Sequence, residues 1–135
     1  ALWTEVYFSI TAKTLTKVLD QVLAWRGKPA YIRCDNGPEF IADHLQEWAN
    51  DKGIDIWFIQ PGKPSQNGLM ERLNGTLRTE CLNLQWFKNL DQLNEAIQEW
   101  WHTYNELRPH SSIKFLTPKD FETKHKELYF SVVAA

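Results

Sequence analysis

The sequence predicts an α/β fold, with helices layered around a central sheet. Three observations carry that reading. Short runs rich in aromatic and β-branched residues recur at 3–10, 30–34 and 54–59. Longer stretches beside them repeat apolar residues at helical spacing. Gly, Pro and Asn stand at the boundaries. The order is strand, helix, strand, helix, strand, then helices, which suits an α/β sandwich.

The elements follow in order. Residues 3–10 read as a strand. Thr11 is placed to cap a helix whose period runs through Leu15, Val18, Leu19, Val22, Leu23 and Trp25-Arg26, with Gly27 closing it. Pro29 opens a short strand ending at Cys34, and Asn36-Gly37-Pro38 breaks the chain. One helix is expected next, with Phe40, Ile41, Leu45, Trp48 and Ala49 on its apolar face and Gly53 as its stop. Residues 54–59 are apolar on both faces, which predicts a strand covered on both sides. Residues 60–67 hold two prolines and a glycine and read as a loop. A helix over about 68–83 then puts Met70, Leu73, Leu77 and Cys81 on one side and Glu71, Asn74, Gly75 and Arg78 on another. Asp91 is the expected cap of a long helix to Glu106, with Leu93, Ile97, Trp100, Trp101 and Tyr104 inward and Pro109 ending it. Thr117-Pro118 opens a short helix. Residues 129–133 read as a short strand, a partner-binding segment or a frayed end. The seven Trp read mostly as core; Trp86 is assigned to the core, with base stacking as its alternative role.

At 135 residues, 43% of them hydrophobic, the chain fits one domain with a core. There is no apolar run of membrane-spanning length, and the first residues do not resemble a signal peptide. The start lacks Met, as an excised domain would. Cys34 and Cys81 lack metal-type spacing and read as reduced thiols. The scattered His44, His102 and His125 argue against zinc. A net charge of −2 is unusual for a free-standing DNA-binding domain. The charge is uneven, however. Residues 35–56 carry Asp35, Glu39, Asp43, Glu47, Asp51 and Asp55 against Lys52. Residues 60–88 carry Lys63, Arg72, Arg78 and Lys88 against Glu71 and Glu80. DNA contact is expected on the second stretch.

Two carboxylates point to chemistry. Asp35 ends the strand run 30–34 and begins Asp-Asn-Gly-Pro-Glu-Phe; Glu71 lies in Asn-Gly-Leu-Met-Glu-Arg, with thirty-five residues between the two. An Asp at a strand end and a Glu on a later helix can share a divalent metal, and a metal pair can activate water and stabilise a leaving oxygen in phosphodiester cleavage. Hard carboxylate oxygens suit Mg²⁺ or Mn²⁺. Glu39 reads as a helix-start acid favoured by the dipole, with metal ligation as a lesser alternative.

These words, and the later Tyr104-Asn105-Glu106-Leu107-Arg108-Pro109-His110-Ser111-Ser112, resemble the catalytic core of insertion-sequence transposases in the retroviral-integrase superfamily. The resemblance runs over about residues 1–121, leaving 122–135 as an unassigned tail. It implies a ribonuclease H-like three-layer α/β fold. It also implies a site of three acids, of which Asp35 matches the second Asp and Glu71 the Glu. No residue here matches the first Asp, so the resemblance implies a core truncated at its N-terminus, with the first strands missing, and inactive alone. Ile113-Lys114-Phe115 stands where relatives more often have Leu-Gly-Tyr.

The implied activity is metal-dependent cleavage at an element end followed by strand transfer into target DNA. The expected partners are element-end and target DNA, with self-association in the active assembly. The expected location is the bacterial cytoplasm, at the nucleoid when active. Lys63, Asn67, Arg72 and Arg78 are the candidate DNA contacts, Asn67 also being placed to cap the catalytic helix. Arg108 and His110 are expected to fold the chain back or to touch phosphate; a His-Ser nucleophile lacks its partner acid and its elbow. The alternatives are a ribonuclease H-like nuclease or resolvase, which the word at 104–112 argues against, and a degenerate DNA-binding remnant.

Overall fold

In a computed structural model of the chain, residues 1–60 and 68–133 are described, with side chains up to residue 125. They form two compact units. One runs from residue 7 to 75 with residue 2; the other runs from residue 76 onward with residues 1 and 3–6.

The first unit is built on helix α1 (Ala12–Arg26), strand β1 (Tyr31–Cys34), helices α2 (Pro38–Ile41) and α3 (Asp43–Lys52), strand β2 (Asp55–Phe58) and helix α4 (Gly68–Leu77). Thr11 caps α1 as expected, its hydroxyl accepting from the Thr14 amide at 3.2 Å. Gly27 ends α1 at φ 84, and Gly53 ends α3 in the left-handed region at φ 63, where a side chain would be strained.

The strands β1 and β2 are parallel, with Ile32 opposite Ile56 and Cys34 opposite Phe58. Leu45, Trp48, Ala49 and Ile54 form the core, and Leu15, Leu19, Leu23, Ile32, Phe40 and Ile56 pack against it. The four-residue spacing of the α1 leucines puts them on one stripe facing that core. Polar ties secure the same layer. Trp48 Nε1 donates to Asp20 Oδ1 at 3.1 Å, and Lys52 pairs with Asp20 at 3.1 Å. Both interactions hold the Asp20 carboxyl below its usual range, the Trp48 hydrogen bond most.

The second unit is helical. The chain leaves α4 through a wide turn, Arg78–Leu82, in which the Asn83 amide reaches back five residues to the Arg78 carbonyl. Helix α5 (Leu90–His102) follows, ending in a second wide turn, Thr103–Leu107. Cys81, Ile97 and Trp100 are buried. Trp100 Nε1 donates to Glu80, which also pairs with Arg108. Helix α6 (Pro118–Val133) completes the unit, with the Thr117 hydroxyl accepting from the Asp120 amide at 3.1 Å.

Several expectations are corrected. Residues 3–10 form no strand, because a strand needs a neighbour for its backbone N–H and C=O groups and the described sheet stops at two strands. Leu2, Phe8 and Ile10 are accordingly exposed. The helix after Pro38 is two helices, since Ala42 is extended at ψ 138; the restart turns Ile41 outward. Strand β2 is not covered on both sides: Trp57 is exposed and stacks on the exposed Tyr31, with ring centroids 4.1 Å apart. Met70 is exposed rather than inward. Asn89, not Asp91, caps α5, accepting from the Gln92 amide at 2.9 Å. Helix α6 is long rather than short and includes residues 129–133. Of the seven Trp, Trp48 and Trp100 are buried, whereas Trp3, Trp25, Trp57 and Trp86 are exposed, Trp86 at 99%. Trp25 instead lies under the Arg26 guanidinium, 4.2 Å from its ring centroid.

Candidate active site

Asp35 follows the last residue of β1, at the C-terminal end of the parallel pair. Two local devices fix that corner. The Asp35 carboxylate accepts from the Gly37 amide through Oδ1 at 2.9 Å, an Asx turn that bends the chain away from the sheet. Asn36 Nδ2 donates to the Ile59 carbonyl at 3.0 Å, and the Ile59 amide donates to the Cys34 carbonyl at 2.9 Å. The ends of both strands are thus tied together just behind the acid. Cys34 is buried; that burial, and secondarily the Asp35 charge, push its thiol up. Both cysteines are free.

Glu39 lies in the first turn of α2, as expected, and it also faces Asp35. A Cβ placed on Gly37 would sit 3.0 Å from Glu39 Oε1 and 3.1 Å from Asp35 Oδ1. Two carboxylates therefore converge over a glycine that leaves them room. The Asp-x-Gly-x-Glu spacing was the sequence signal for this pair, with a turn folding Glu39 back.

Glu71 is exposed in the first turn of α4, where the helix dipole favours a negative charge. No residue of α4 is buried. Asn74 and Gly75 are exposed, and among the described residues a Cβ on Gly75 would meet nothing within 4 Å. The expected low bulk on this face is present. Arg72 is exposed on α4, and Arg78 is exposed where the wide turn begins. Lys63 and Asn67 lie outside the described residues.

The donors fit a hard cation. Asp35 and Glu71 are both solvent-facing carboxylates, and Mg²⁺ is commonly held through one or two carboxylates while keeping several waters. Among the described residues no three His, Cys, Asp or Glu side chains gather into one metal-binding group.

Arg108 and His110 have structural partners. Arg108 pairs with Glu80, and His110 Nε2 donates to the Tyr104 carbonyl at 2.9 Å. His110 also bridges to Leu116, folding the chain back as expected.

Two family profiles, each described as integrase core domain, match the chain, one over residues 2–64 and the other over residues 52–118. The chain belongs to the integrase core family. This core is related to insertion-element transposases and to retroviral integrases. It is 41% identical over 117 residues to an uncharacterized 31.7 kDa protein of insertion element IS407 from Burkholderia multivorans, covering 87% of this chain and 42% of that protein. The chain thus spans less than half the length of that relative.

Among solved structures, the core is similar to the HTLV-2 integrase catalytic core domain in complex with magnesium in its dimeric form. The identity is 29% and the TM-score 0.51, covering 76% of this chain and 65% of that one. The catalytic core domain of BIV integrase matches at TM-score 0.65 and 20% identity, covering 93% of this chain and 80% of that one, and supports the fold alone. The fold is the mixed α/β fold of integrase catalytic cores, with two parallel strands among the described residues. No helix among the described residues is long and apolar enough to cross a membrane.

Proposed function

We propose that the chain is the larger part of a DNA transposase catalytic core, which cleaves a phosphodiester at an element end and transfers the freed 3′-hydroxyl into target DNA. The observation that carries this is the setting of the two acids: Asp35 exposed at a braced strand end, and Glu71 exposed thirty-six residues later on a helix face with open space beside it among the described residues. Both acids belong to a chain of the integrase core family.

Asp35 and Glu71 are the residues that would hold Mg²⁺ or Mn²⁺. When bound, the metal pair supplies Lewis-acid stabilisation of the reacting phosphate and activation of the attacking oxygen. The chain's own contribution is placement. The Asn36 and Gly37 hydrogen bonds keep Asp35 in one orientation, so its position is set before substrate arrives. The absence of bulk at Gly75 leaves a phosphate room to approach beside Glu71. Arg72 and Arg78 offset the repulsion between DNA and the carboxylates, and Lys63 and Asn67 are proposed to contact the same backbone.

The third acid, the first strands and self-association in the active assembly are assigned to a longer chain of the relatives' length. The 135-residue chain alone is therefore expected to be inactive.

The test is a strand-transfer assay on a protein of the relatives' length, with Asp35→Asn and Glu71→Gln beside it. Each substitution should abolish joining and should weaken Mn²⁺ binding, read by the spin-resonance signal of the free ion. A variant that still joins DNA at the parent rate removes its residue from the ligand set.

A further inference from the structure

Residues 108–116 close into a pinned turn that the carboxylate site does not use. The His110 amide donates to the Leu116 carbonyl at 3.0 Å, and the Phe115 amide donates to the His110 carbonyl at 2.9 Å. The His110 ring meets Tyr104 edge-on at 4.6 Å while its Nε2 holds the Tyr104 carbonyl. Between these fixed points Ser111–Ile113 forms a tight 3₁₀ turn.

Lys114 and Phe115 follow in the left-handed region, at φ 59 and φ 60. Two consecutive non-glycine residues there are disfavoured, and a bulky side chain at such φ is an outlier. Strain of this kind persists where surrounding bonds over-determine the backbone, and it concentrates at ligand clamps. Burying the ring is not the compensation, since Phe115 is 73% exposed. Ser111, Ser112 and Lys114 are exposed beside it.

The turn therefore holds an aromatic ring, an ammonium and two hydroxyls outward on a braced backbone. That combination matches one nucleotide of an unpaired strand: a ring for a base to stack on, and donors for the adjoining phosphate. Glu80 pairs with Arg108 and Glu106 with Lys119, so these two acids of the unit have cationic partners of their own.

We infer that residues 110–116 bind an unpaired DNA strand, with Phe115 stacking on a base and Lys114 on its phosphate. The inference rests on the reading that the protein handles DNA, and it names where an opened strand is gripped.

The test is fluorescence anisotropy of the 135-residue chain with a labelled single-stranded oligonucleotide and a blunt duplex of equal length. Chelator is present, so the result does not depend on the metal site or on strand transfer. Phe115→Ala should weaken single-strand binding about five- to a hundredfold, the effect of losing one stacked base. It should leave duplex binding within about twofold, and Phe115→Tyr should restore the parent affinity. Lys114→Ala should lower the salt slope on the single strand by about 0.7. Thermal unfolding of Phe115→Ala should match the parent, because the ring is exposed. The inference is overturned if Phe115→Ala binds both DNAs as the parent does or loses both equally. A fall in sedimenting mass instead would make the turn an interface between copies and overturn it as well. Loss of strand transfer in the assay above, with this single-strand selectivity intact, would count against the catalytic reading and leave the turn's role standing.

Discussion

Asp35 and Glu71 are held in opposite ways. Asp35 follows a strand whose last residue is buried, and its neighbours Asn36 and Gly37 each make a hydrogen bond that fixes the corner. Glu71 stands on a helix without a buried residue, with Leu69 and Met70 exposed ahead of it. One acid is placed by the core of its unit and the other by the geometry of a helix on which Leu73 is half-buried. The contrast implies different sensitivities at the two acids proposed to share a site. Damage near Asp35 should be felt as lost stability, and damage near Glu71 as lost chemistry.

The largest effect that would sharpen the contrast is in the core. Leu45→Ala removes a side chain only 1% exposed under the strand pair and should cost about 2–5 kcal/mol in urea unfolding. Leu69→Ala, on α4 and 75% exposed, should stay within about 0.5 kcal/mol. Equal losses would show that α4 is packed as firmly as α3 and would break the comparison.

Smaller is the effect of the corner itself. Asn36→Ala deletes the bond to the Ile59 carbonyl and should cost about 0.5–1.5 kcal/mol. It should also lower strand transfer through Asp35. Asn74→Ala beside Glu71 should leave unfolding unchanged while affecting DNA affinity. If Asn36→Ala reduces neither stability nor transfer, the bracing of Asp35 is not what positions it.

A crowding test follows. Gly37→Ala brings a methyl to 3.0 Å from Glu39 and 3.1 Å from Asp35, so one carboxylate must move. The backbone tolerates Ala here, since Gly37 has φ −60. Mn²⁺ affinity should fall by about three- to tenfold, roughly 1 kcal/mol, with the unfolding midpoint nearly constant. Gly75→Ala, with no described atom near its new methyl, should leave Mn²⁺ affinity unchanged and raise stability by about 0.5–1 kcal/mol, the gain of Ala over Gly inside a helix. Unaltered Mn²⁺ binding in Gly37→Ala would mean that the convergence of Asp35 and Glu39 is irrelevant to the site.

The smallest effect is in pH. Asp20 is depressed by its Trp48 hydrogen bond and by Lys52, so the folded carboxyl titrates below the unfolded one, which lies near about 3.9. Its stabilisation is present above that unfolded value and is lost as pH falls through the lower folded value. The stability gap between the parent and Asp20→Asn should be small at neutral pH, because the pair is half exposed, and should close in acid. A gap that widens in acid would contradict the depressed carboxyl.

The sequence by itself determined what acts over a few residues. Thr11, Gly27 and Gly53 bound their helices because a capping hydroxyl and a left-handed φ are properties of single residues and their nearest neighbours. The helical stripes of α1 and α5 were legible for the same reason, and the two acidic words identified the family before any coordinate did. Tertiary structure alone decided what depends on distant partners. Residues 3–10 have strand composition, but composition supplies no neighbouring strand. Seven Trp look alike in sequence, and only packing separates Trp48 at 9% exposure from Trp86 at 99%. The approach of Glu39 to Asp35 and the paired left-handed residues at 114 and 115 are set by turn hydrogen bonds spanning two to six residues, a geometry that composition and periodicity do not announce.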